Sequence, residues 1–405
     1  MQYLALCAIV KDEGPFLKEW ILYHSMIGVE HFFLYDNGSN PPVSETLGDL
    51  AAMPHVTILG TPNKAMQLPV YNHCLMEFGS RFAWIAFIDV DEFICPAKTS
   101  DLRILLAEYE PYGGLALNWR VFSSNGHASR PQGLVIENYT HWVDEKRTQI
   151  KSIVRPEKTA GCRNAHAFGY LNGAFSVNES FEPLPPGAAF WLPSHEQVWI
   201  NHYYYKSRED FALKLSRSRN SVHQENQPWW NMDLFDKHLL LPHHPDRTIV
   251  RFSPKLRTAL GKNNPLLPFS PPKGLSLPDL YTLSAERLTA GQPTEALVCL
   301  CHAAALQESH DLWTMRATLA RILKNLHANR HFLRQASRLG ESLQFYVELA
   351  ELAFTDTDPH TADDAIALLS EALNRTGITE GQWMEKLRAL SHRNEGQNMP
   401  NNSIN

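Results

Sequence analysis

Short apolar runs and helical apolar spacing alternate along the first 270 residues of the chain. The runs predict strands at positions 4–10, 31–35, 56–59, 84–94, 115–119, 133–139 and 148–154. Apolar residues spaced by three or four positions predict helices over 16–27 and 65–78, and Gly28 ends the first of them. Because strands that alternate with helices form parallel sheets, this part of the chain is predicted to be an α/β domain.

The sequence beyond residue 277 is rich in Ala, Leu, Glu and Arg, and its apolar spacing is helical throughout. Prolines cluster before it and predict a linker, at positions 265, 268, 271 and 272. A pattern at 296–303 has a similar copy at 365–372, an offset of 69 residues or about two 34-residue helical hairpins. We therefore predict an α/β domain over 1–270, a tetratricopeptide-like all-α domain over 278–393 and a disordered tail over 394–405. A plain helical bundle is the alternative for the second part.

Composition and charge disfavour several classes of protein. The formal net charge of −6 gives no basic surface for nucleic acid, and the 44% hydrophobic content is ordinary for a globular protein. The six cysteines lack paired zinc spacing, which favours buried thiols in a reducing compartment. No apolar run reaches the roughly 20 residues that span a bilayer, and no signal peptide is evident. We expect a cytoplasmic protein, with peripheral association at the inner membrane as an option.

Three carboxylates end the apolar run at 84–94. Asp89, Asp91 and Glu92 follow a predicted buried strand, and open α/β sheets bind their ligands at the carboxyl ends of strands. Crowded carboxylates stay ionised only when a cation or hydrogen-bond donors neutralise them. Such oxygen ligands suit Mg²⁺ or Mn²⁺ shared with a diphosphate. A strand followed by Asp-x-Asp is also typical of glycosyltransferases with a GT-A fold, whereas a solvated strand end is the plain alternative.

Further motifs, in order along the chain, resemble glycosyltransferase family 92 and its bacterial family-2-like relatives. The resemblance covers 1–219 and rests on Val10-Lys11-Asp12-Glu13, Tyr35-Asp36-Asn37-Gly38-Ser39, Tyr71-Asn72-His73-Cys74, Asn118-Trp119, Asn125-Gly126-His127, Arg130-Pro131, Lys151-Ser152-Ile153-Val154-Arg155-Pro156 and Asn201-His202-Tyr203-Tyr204-Tyr205-Lys206-Ser207. It implies a GT-A fold, the Rossmann-like mixed α/β sheet of nucleotide-diphospho-sugar transferases, followed here by the all-α domain. It also implies a nucleotide-sugar donor.

The residues that follow the first two strands are candidates for contact with the donor nucleotide. Carboxylates there can accept from a uracil N–H or a ribose hydroxyl, although a surface turn or an Asx turn explains them equally well. Three polar residues on the 65–78 helix are spaced to share a face, and a later lysine can neutralise the diphosphate. The predicted donor set is Lys11, Glu13, Asp36, Asn37, Gln67, Tyr71, Asn72, Asp89 and Lys206.

Asp91 is predicted to ligate the metal directly, and Asp89 to bind ribose or to reach the metal through water. Glu92 is expected to hold the loop or to face the donor sugar. His202 is the predicted third ligand, because a neutral imidazole suits Mn²⁺. His166 is its competitor, and a buried core histidine is the structural alternative for His202.

The polar and aromatic loop after the 115–119 strand is predicted to bind the acceptor or the donor sugar, since sugar rings stack on aromatic faces. Its candidates are Trp119, Asn125, His127 and Arg130. An inverting transfer also needs a general base. Sequence leaves that base open among Asp144, Glu145, Glu179, Glu196 and Glu92.

The leading hypothesis is a metal-dependent, inverting hexosyltransferase (EC 2.4) that uses a UDP-sugar, galactose being one candidate. Its acceptor would be a glycan or lipid-linked glycan in cell-surface polysaccharide or lipopolysaccharide synthesis. The helical domain would contact a partner protein or form a homo-oligomer. The alternative is a non-catalytic GT-A-like scaffold that acts through its helical repeats. A nucleotidyl- or phosphotransferase is disfavoured, because the sequence contains no Gly-rich phosphate loop.

Overall fold

The computed structural model describes residues 1–61, 66–145, 148–216, 231–262 and 268–323, together with 328, 331–333, 335 and 336. The chain divides into two compact units, Met1–Lys273 and a second that begins at Gly274. The second copy of the predicted repeat, at 365–372, and the predicted tail at 394–405 lie outside the described residues, as does Pro265 of the predicted linker.

The first unit is built from a mixed sheet and the helices around it. Its strands are β1 (Gln2–Val10), β2 (His31–Asp36), β3 (Val56–Gly60), β4 (Phe82–Phe87), β5 (Glu92–Pro96), β6 (Gly114–Val121), β7 (His141–Val143), β8 (Ile150–Val154), β9 (Thr159–Cys162), β10 (Phe168–Tyr170), β11 (Ser176–Val177), β12 (Val198–His202) and β13 (His243–Pro245). Its helices are α1 (Gly14–Met26), α2 (Val43–Leu47), α3 (Gln67–Phe78), α4 (Leu102–Leu106), α5 (Val135–Asn138), α6 (Arg208–Ser216), α7 (Met232–His238) and α8 (Ser253–Lys262).

The main sheet has the order β3-β2-β1-β4-β8-β6-β12-β5, and β11 pairs with β6. Strands β3, β2, β1 and β4 run parallel, whereas β8 lies antiparallel between β4 and β6. At the far edge β5 is antiparallel to β12. The predicted α/β fold with a mixed, GT-A-type sheet is therefore confirmed.

Strands β1, β2 and β4 are buried along nearly their whole length, which explains their continuous apolar sequences, whereas the edge strand β3 is half-buried. Every residue of β1 after Gln2 is buried. One face of this part of the sheet packs against α3 through Phe33, Tyr71, Phe87 and Phe168. Phe87 and Phe168 have ring centroids 4.8 Å apart, and Tyr71 lies 4.8 Å from Phe87. This aromatic layer fixes the end of β4, where the acidic residues begin.

Two predicted strands differ in the structure. The run at 84–94 is two strands, because the Glu92 carboxylate accepts from the Asp89 backbone N–H at 3.0 Å and folds the chain into a turn. β5 then leaves β4 and pairs with β12. The run at 133–139 contains the short helix α5 instead of a strand, because the buried Glu19 carboxylate accepts from Val135 N at 2.9 Å and Ile136 N at 3.2 Å. Unpaired N–H groups at the start of a helix need such acceptors.

The described part of the second unit is helical, as predicted, with α9 (Leu277–Thr289), α10 (Pro293–Leu306) and α11 (His310–Ile322). Ser276 and Asp279 form a capping box that begins α9. Gly291, with φ of 73°, supplies the left-handed conformation between α9 and α10. None of the described helices is both long and apolar enough to cross a membrane.

Candidate active site

The acidic turn, residues 88–92, joins β4 to β5 and carries three of the predicted catalytic residues. Strands β1, β2 and β4 are parallel, so their carboxyl ends lie at the same edge of the sheet. The turn is therefore placed at the edge where α/β sheets bind nucleotides. Its three carboxyl groups face two different lysines.

Asp89 is held by a strand and a helix of the sheet layer. Lys151 of β8 donates to Asp89 Oδ2 at 2.8 Å, and Gln67 of α3 donates to Asp89 Oδ1 at 3.0 Å. Lys151 Nζ also lies 3.7 Å from Glu92 Oε1. The lysine side chain is 1% exposed, so one buried ammonium group serves both carboxyl groups.

Burial shifts the pKa values of Glu92 and Lys151. It raises the pKa of Glu92 well above its usual range, although Lys151 opposes that shift. Burial also disfavours the charged form of Lys151, but Asp89 and Glu92 outweigh it and raise the pKa of the lysine. Lys151 therefore keeps its positive charge beside Asp89, while burial favours the neutral form of Glu92.

Asp91 is held from the opposite side by β12 and α6. Lys214 of α6 donates to Asp91 Oδ2 at 2.6 Å, and Nε2 of His202, the last residue of β12, lies 3.5 Å from the same oxygen. Burial by itself would raise the pKa of Asp91, but Lys214 and His202 outweigh it and hold that pKa well below its usual range. Asp91 is therefore a carboxylate.

His202 is a buried, neutral imidazole beside this carboxylate. Its ring lies 4.2 Å from that of Trp119, and burial lowers its pKa. Among the described residues its Nδ1 has no hydrogen-bond partner. The ring of the competing His166 lies 5.3 Å from that of Trp119, and its Nδ1 is 2.8 Å from the Ile150 carbonyl oxygen. Burial lowers the pKa of His166 to about 4.

The Asp91–His202 pair has the chemistry of a divalent metal site. A carboxylate and a neutral imidazole 3.5 Å apart suit Mn²⁺ or a similar ion, which needs deprotonated ligands. Within the described residues no group of three His, Cys, Asp or Glu side chains converges on one point. Lys214 Nζ also contacts the oxygen that a metal would bind. The donors therefore fit a metal, but an ammonium group competes for one of them.

The predicted donor residues after β1 and β2 make local contacts. Lys11 donates to the Gly38 carbonyl, and the Asp36 carboxylate accepts from Ser39 N at 2.7 Å and Val43 N at 2.9 Å. Asn37 donates to the Thr61 carbonyl at 2.5 Å. The Asx turn at Asp36 was one of the two interpretations of this segment.

The other predicted donor residues separate into three sets of contacts. Gln67 contacts both Tyr71 and Asp89, because its Nε2 lies 3.2 Å from the Tyr71 hydroxyl and also donates to Asp89 Oδ1. Asn72 instead accepts from the backbone N–H of Cys162 at 2.9 Å, so it does not share the Gln67 contacts. Lys206 Nζ lies 3.3 Å from the Glu13 carboxylate and 4.1 Å from the centre of the Phe16 ring.

The loop after β6 is tied down by its own polar residues. Asn125 contacts Ser123, Thr140 and His141, and its φ of 49° continues into Gly126 at 78°. His127 Nε2 lies 3.4 Å from the Asn138 carbonyl oxygen. Arg130 pairs with Asp210 at 2.6 Å. Of the predicted acceptor residues, Trp119 is the one in contact with His202.

The candidate general bases make different contacts in the structure. Glu179 accepts from the backbone N–H groups of Glu196, Gln197 and Val198 at 2.6–2.8 Å, so it organises the segment before β12. Glu145 accepts from the Tyr205 hydroxyl. Glu92 is fully buried beside Lys151.

The sequence predicted no role for Lys151 or Lys214. Lys151 lies in a motif of the family resemblance, and a lysine inside an apolar strand is itself a signal, because a buried lysine needs a carboxylate. Lys214 lies on a short helix with no such signal. It contacts Asp91, which lies 123 residues earlier in the sequence.

Comparisons with known proteins agree with the resemblance. The sequence model of glycosyltransferase family 92 matches residues 6–229. A family 92 protein of Oryza sativa subsp. japonica is 29% identical over 217 residues, which cover 53% of this chain and 35% of that protein. A galactan beta-1,4-galactosyltransferase of Arabidopsis thaliana is 33% identical over 109 residues, covering 24% of this chain and 21% of that protein. The chain thus spans about a third or less of these relatives.

Among solved structures, S. aureus TarS 1–349 is a match. It has 12% sequence identity and a TM-score of 0.28, with 93% of this chain and 92% of that chain covered.

Proposed function

Because the chain belongs to glycosyltransferase family 92, we propose that it transfers a hexose from a UDP-sugar to a hydroxyl group of a glycan or lipid-linked glycan. The reaction is metal-dependent and proceeds with inversion. The observation that carries the proposal is the acidic turn, in which Asp91 lies 3.5 Å from the neutral His202 at the nucleotide-binding edge of the sheet. Galactose is the preferred candidate, because one similar protein is named a galactosyltransferase.

Asp91 and His202 would hold Mn²⁺ or Mg²⁺, with Asp89 nearby on the same turn. The metal supplies a Lewis acid that stabilises charge on the departing nucleoside diphosphate. Asp91 suits this task because its low pKa keeps it ionised, and His202 suits it because its low pKa keeps a nitrogen lone pair available. Asp91 is therefore ionised before a donor binds, with Lys214 as its counter-ion.

The remaining residues orient the site. Gln67 and Lys151 fix both oxygens of Asp89, so this carboxylate presents a defined edge to ribose or to a metal-bound water. Trp119 is partly exposed and contacts His202, so its indole face is available to stack against a sugar ring. Donor sugar, metal ligands and nucleotide edge would then meet at the end of β4.

The test is a panel of UDP-hexoses, UDP-N-acetylhexosamines and GDP-hexoses, scored for hydrolysis with Mn²⁺ and with EDTA. We expect one UDP-hexose to be hydrolysed, and only when the metal is present. The same nucleotides are scored for thermal stabilisation, because ligands that bind the folded state raise the midpoint. Binding without turnover for every donor and acceptor would favour the scaffold alternative. No stabilisation by any nucleotide would contradict the proposal.

A further inference from the structure

One oxygen of the acidic turn has two partners. Asp91 Oδ2 accepts from Lys214 Nζ at 2.6 Å and lies 3.5 Å from His202 Nε2. This is the oxygen that faces His202, so it is the oxygen that a metal shared with His202 would use. Lys214 already neutralises it.

Both aspartates of the turn already have a lysine partner. Lys151 pairs with Asp89, and Lys214 pairs with Asp91. A divalent cation that enters alone therefore finds both carboxylates already paired. It must also lie beside an ammonium group or displace it, and like charges a few ångströms apart repel strongly.

Lys214 can leave Asp91 without leaving the site. Its side chain is 22% exposed, whereas that of Lys151 is 1% exposed. Lys214 Nζ also lies 3.2 Å from the Tyr204 carbonyl oxygen and 4.1 Å from the centre of the Tyr204 ring. A flexible four-carbon stem with these secondary contacts can release one carboxylate and reach another anion nearby.

We propose that Lys214 is a resident counter-cation that a divalent metal displaces from Asp91, and that the donor diphosphate accepts the released ammonium group. The diphosphate part of the proposal rests on the proposed function. Metal and nucleotide then bind cooperatively, because the metal alone must displace Lys214 from its anion, whereas the metal with a diphosphate provides the lysine with a new one.

The test measures Mn²⁺ binding to the full chain by the electron paramagnetic resonance signal of free Mn²⁺. Wild type and Lys214→Met are compared, each without and with UDP. We expect UDP to lower the Mn²⁺ Kd of the wild type about tenfold or more. We expect Lys214→Met to bind Mn²⁺ about tenfold more tightly than the wild type in the absence of UDP, and to lose most of the effect of UDP.

Arg208→Met is the matched control, because Arg208 lies on the same helix but pairs with the exposed Asp236. Its Mn²⁺ affinity should equal that of the wild type. Lys214→Gln is measured in parallel, so that a folding defect of one variant does not decide the result. If folded Lys214→Met and Lys214→Gln bind Mn²⁺ no more tightly than the wild type, the displacement is overturned.

The two proposals fail separately in this experiment. The Mn²⁺-only comparison needs no nucleotide, so tighter binding by Lys214→Met supports displacement whether or not UDP binds. Absence of UDP binding with and without Mn²⁺ contradicts the proposed function and the diphosphate part of the exchange. Cooperativity that persists unchanged in Lys214→Met overturns the exchange while the proposed function stands.

Discussion

The two sides of the acidic turn are neutralised by lysines in different settings. On the first side, Lys151 projects from the middle of β8 and is enclosed by Asp89, Glu92 and the sheet. On the second side, Lys214 projects from the short helix α6 and keeps 22% of its side chain exposed. The lysine is therefore buried in one pair and partly exposed in the other, whereas the carboxylates show the reverse, with 33% of the Asp89 side chain and 9% of the Asp91 side chain exposed.

Because the two lysines differ in exposure, we expect one side of the turn to have a structural role and the other to have a functional role. Lys151 is difficult to separate from its carboxylates, because its ammonium group alone would be a buried, uncompensated charge. Lys214 can exchange its partner, because water or another anion can reach its partly exposed ammonium group. The Lys151 side is therefore expected to hold the turn in shape, and the Lys214 side to respond to ligands.

The largest expected effect is on the Lys151 side. Lys151→Met leaves Asp89 and Glu92 without their buried cation and should lower the free energy of unfolding by about 3–5 kcal/mol. Lys214→Met, the matched substitution on the other side, should cost less, about 1–2 kcal/mol, because only Asp91 loses a partner and His202 stays beside it. Urea unfolding followed by tryptophan fluorescence measures both. Equal costs would remove the distinction between the two sides.

A smaller effect is expected for His202→Ala. Loss of the imidazole should raise the Mn²⁺ concentration for half-maximal activity about tenfold or more. Because the ring is buried against Trp119, the change should also lower the free energy of unfolding by about 1–3 kcal/mol. Activity and unfolding are followed in one Mn²⁺ titration, with His166→Ala as the control. A destabilised His202→Ala with an unchanged metal requirement would transfer the third-ligand role to His166.

The smallest effect is expected when the chain is cut after Pro272. Both sides of the turn lie in the first unit, and its end is fixed by the buried Arg103, which donates to the Phe269 carbonyl and the Ser270 hydroxyl at 2.7 Å. Such a chain should keep both lysine pairs and bind UDP. Its melting midpoint should change by about 2 °C or less.

A chain cut after Lys262 is the control for this experiment. It lacks Phe269 and Ser270, two of the partners of Arg103, and should melt at a lower temperature, because a buried guanidinium loses hydrogen bonds. Scanning calorimetry and UDP binding compare the two truncated chains. If the longer one is insoluble, the first unit does not fold alone.

The sequence predicted the elements that apolar runs define. β1, β2, β3 and α1 are found where the pattern placed them. Buried parallel strands such as β1 and β2 carry continuous apolar residues, which the sequence shows directly. The end of the β4 run was misjudged, since a side-chain contact from Glu92 to the Asp89 backbone breaks the strand. The 133–139 run became a helix through Glu19, which lies more than 100 residues away. Apolar periodicity does not report such contacts.

The candidate site could also be predicted only in part, because some of its contacts join residues that are far apart in the sequence. Asp89 and Asp91 follow an apolar strand, which local sequence shows directly. The lysines that neutralise them come from 62 and 123 residues along the chain, and their partners depend on the order of β8, β6 and β12 in the sheet. Only the fold brings these charges together.

The most direct test of the account is the thermal shift produced by UDP in wild type and Asp91→Asn, each with Mn²⁺ and with EDTA. Asn keeps the volume of the side chain but removes the charged oxygen that faces His202. Each shift is read against the same protein without UDP, because loss of the Lys214 pair alters the starting midpoint. The account predicts a large UDP-induced shift only for the wild type with Mn²⁺. An equal shift in EDTA, or in Asp91→Asn, would contradict a metal-dependent donor site at the acidic turn.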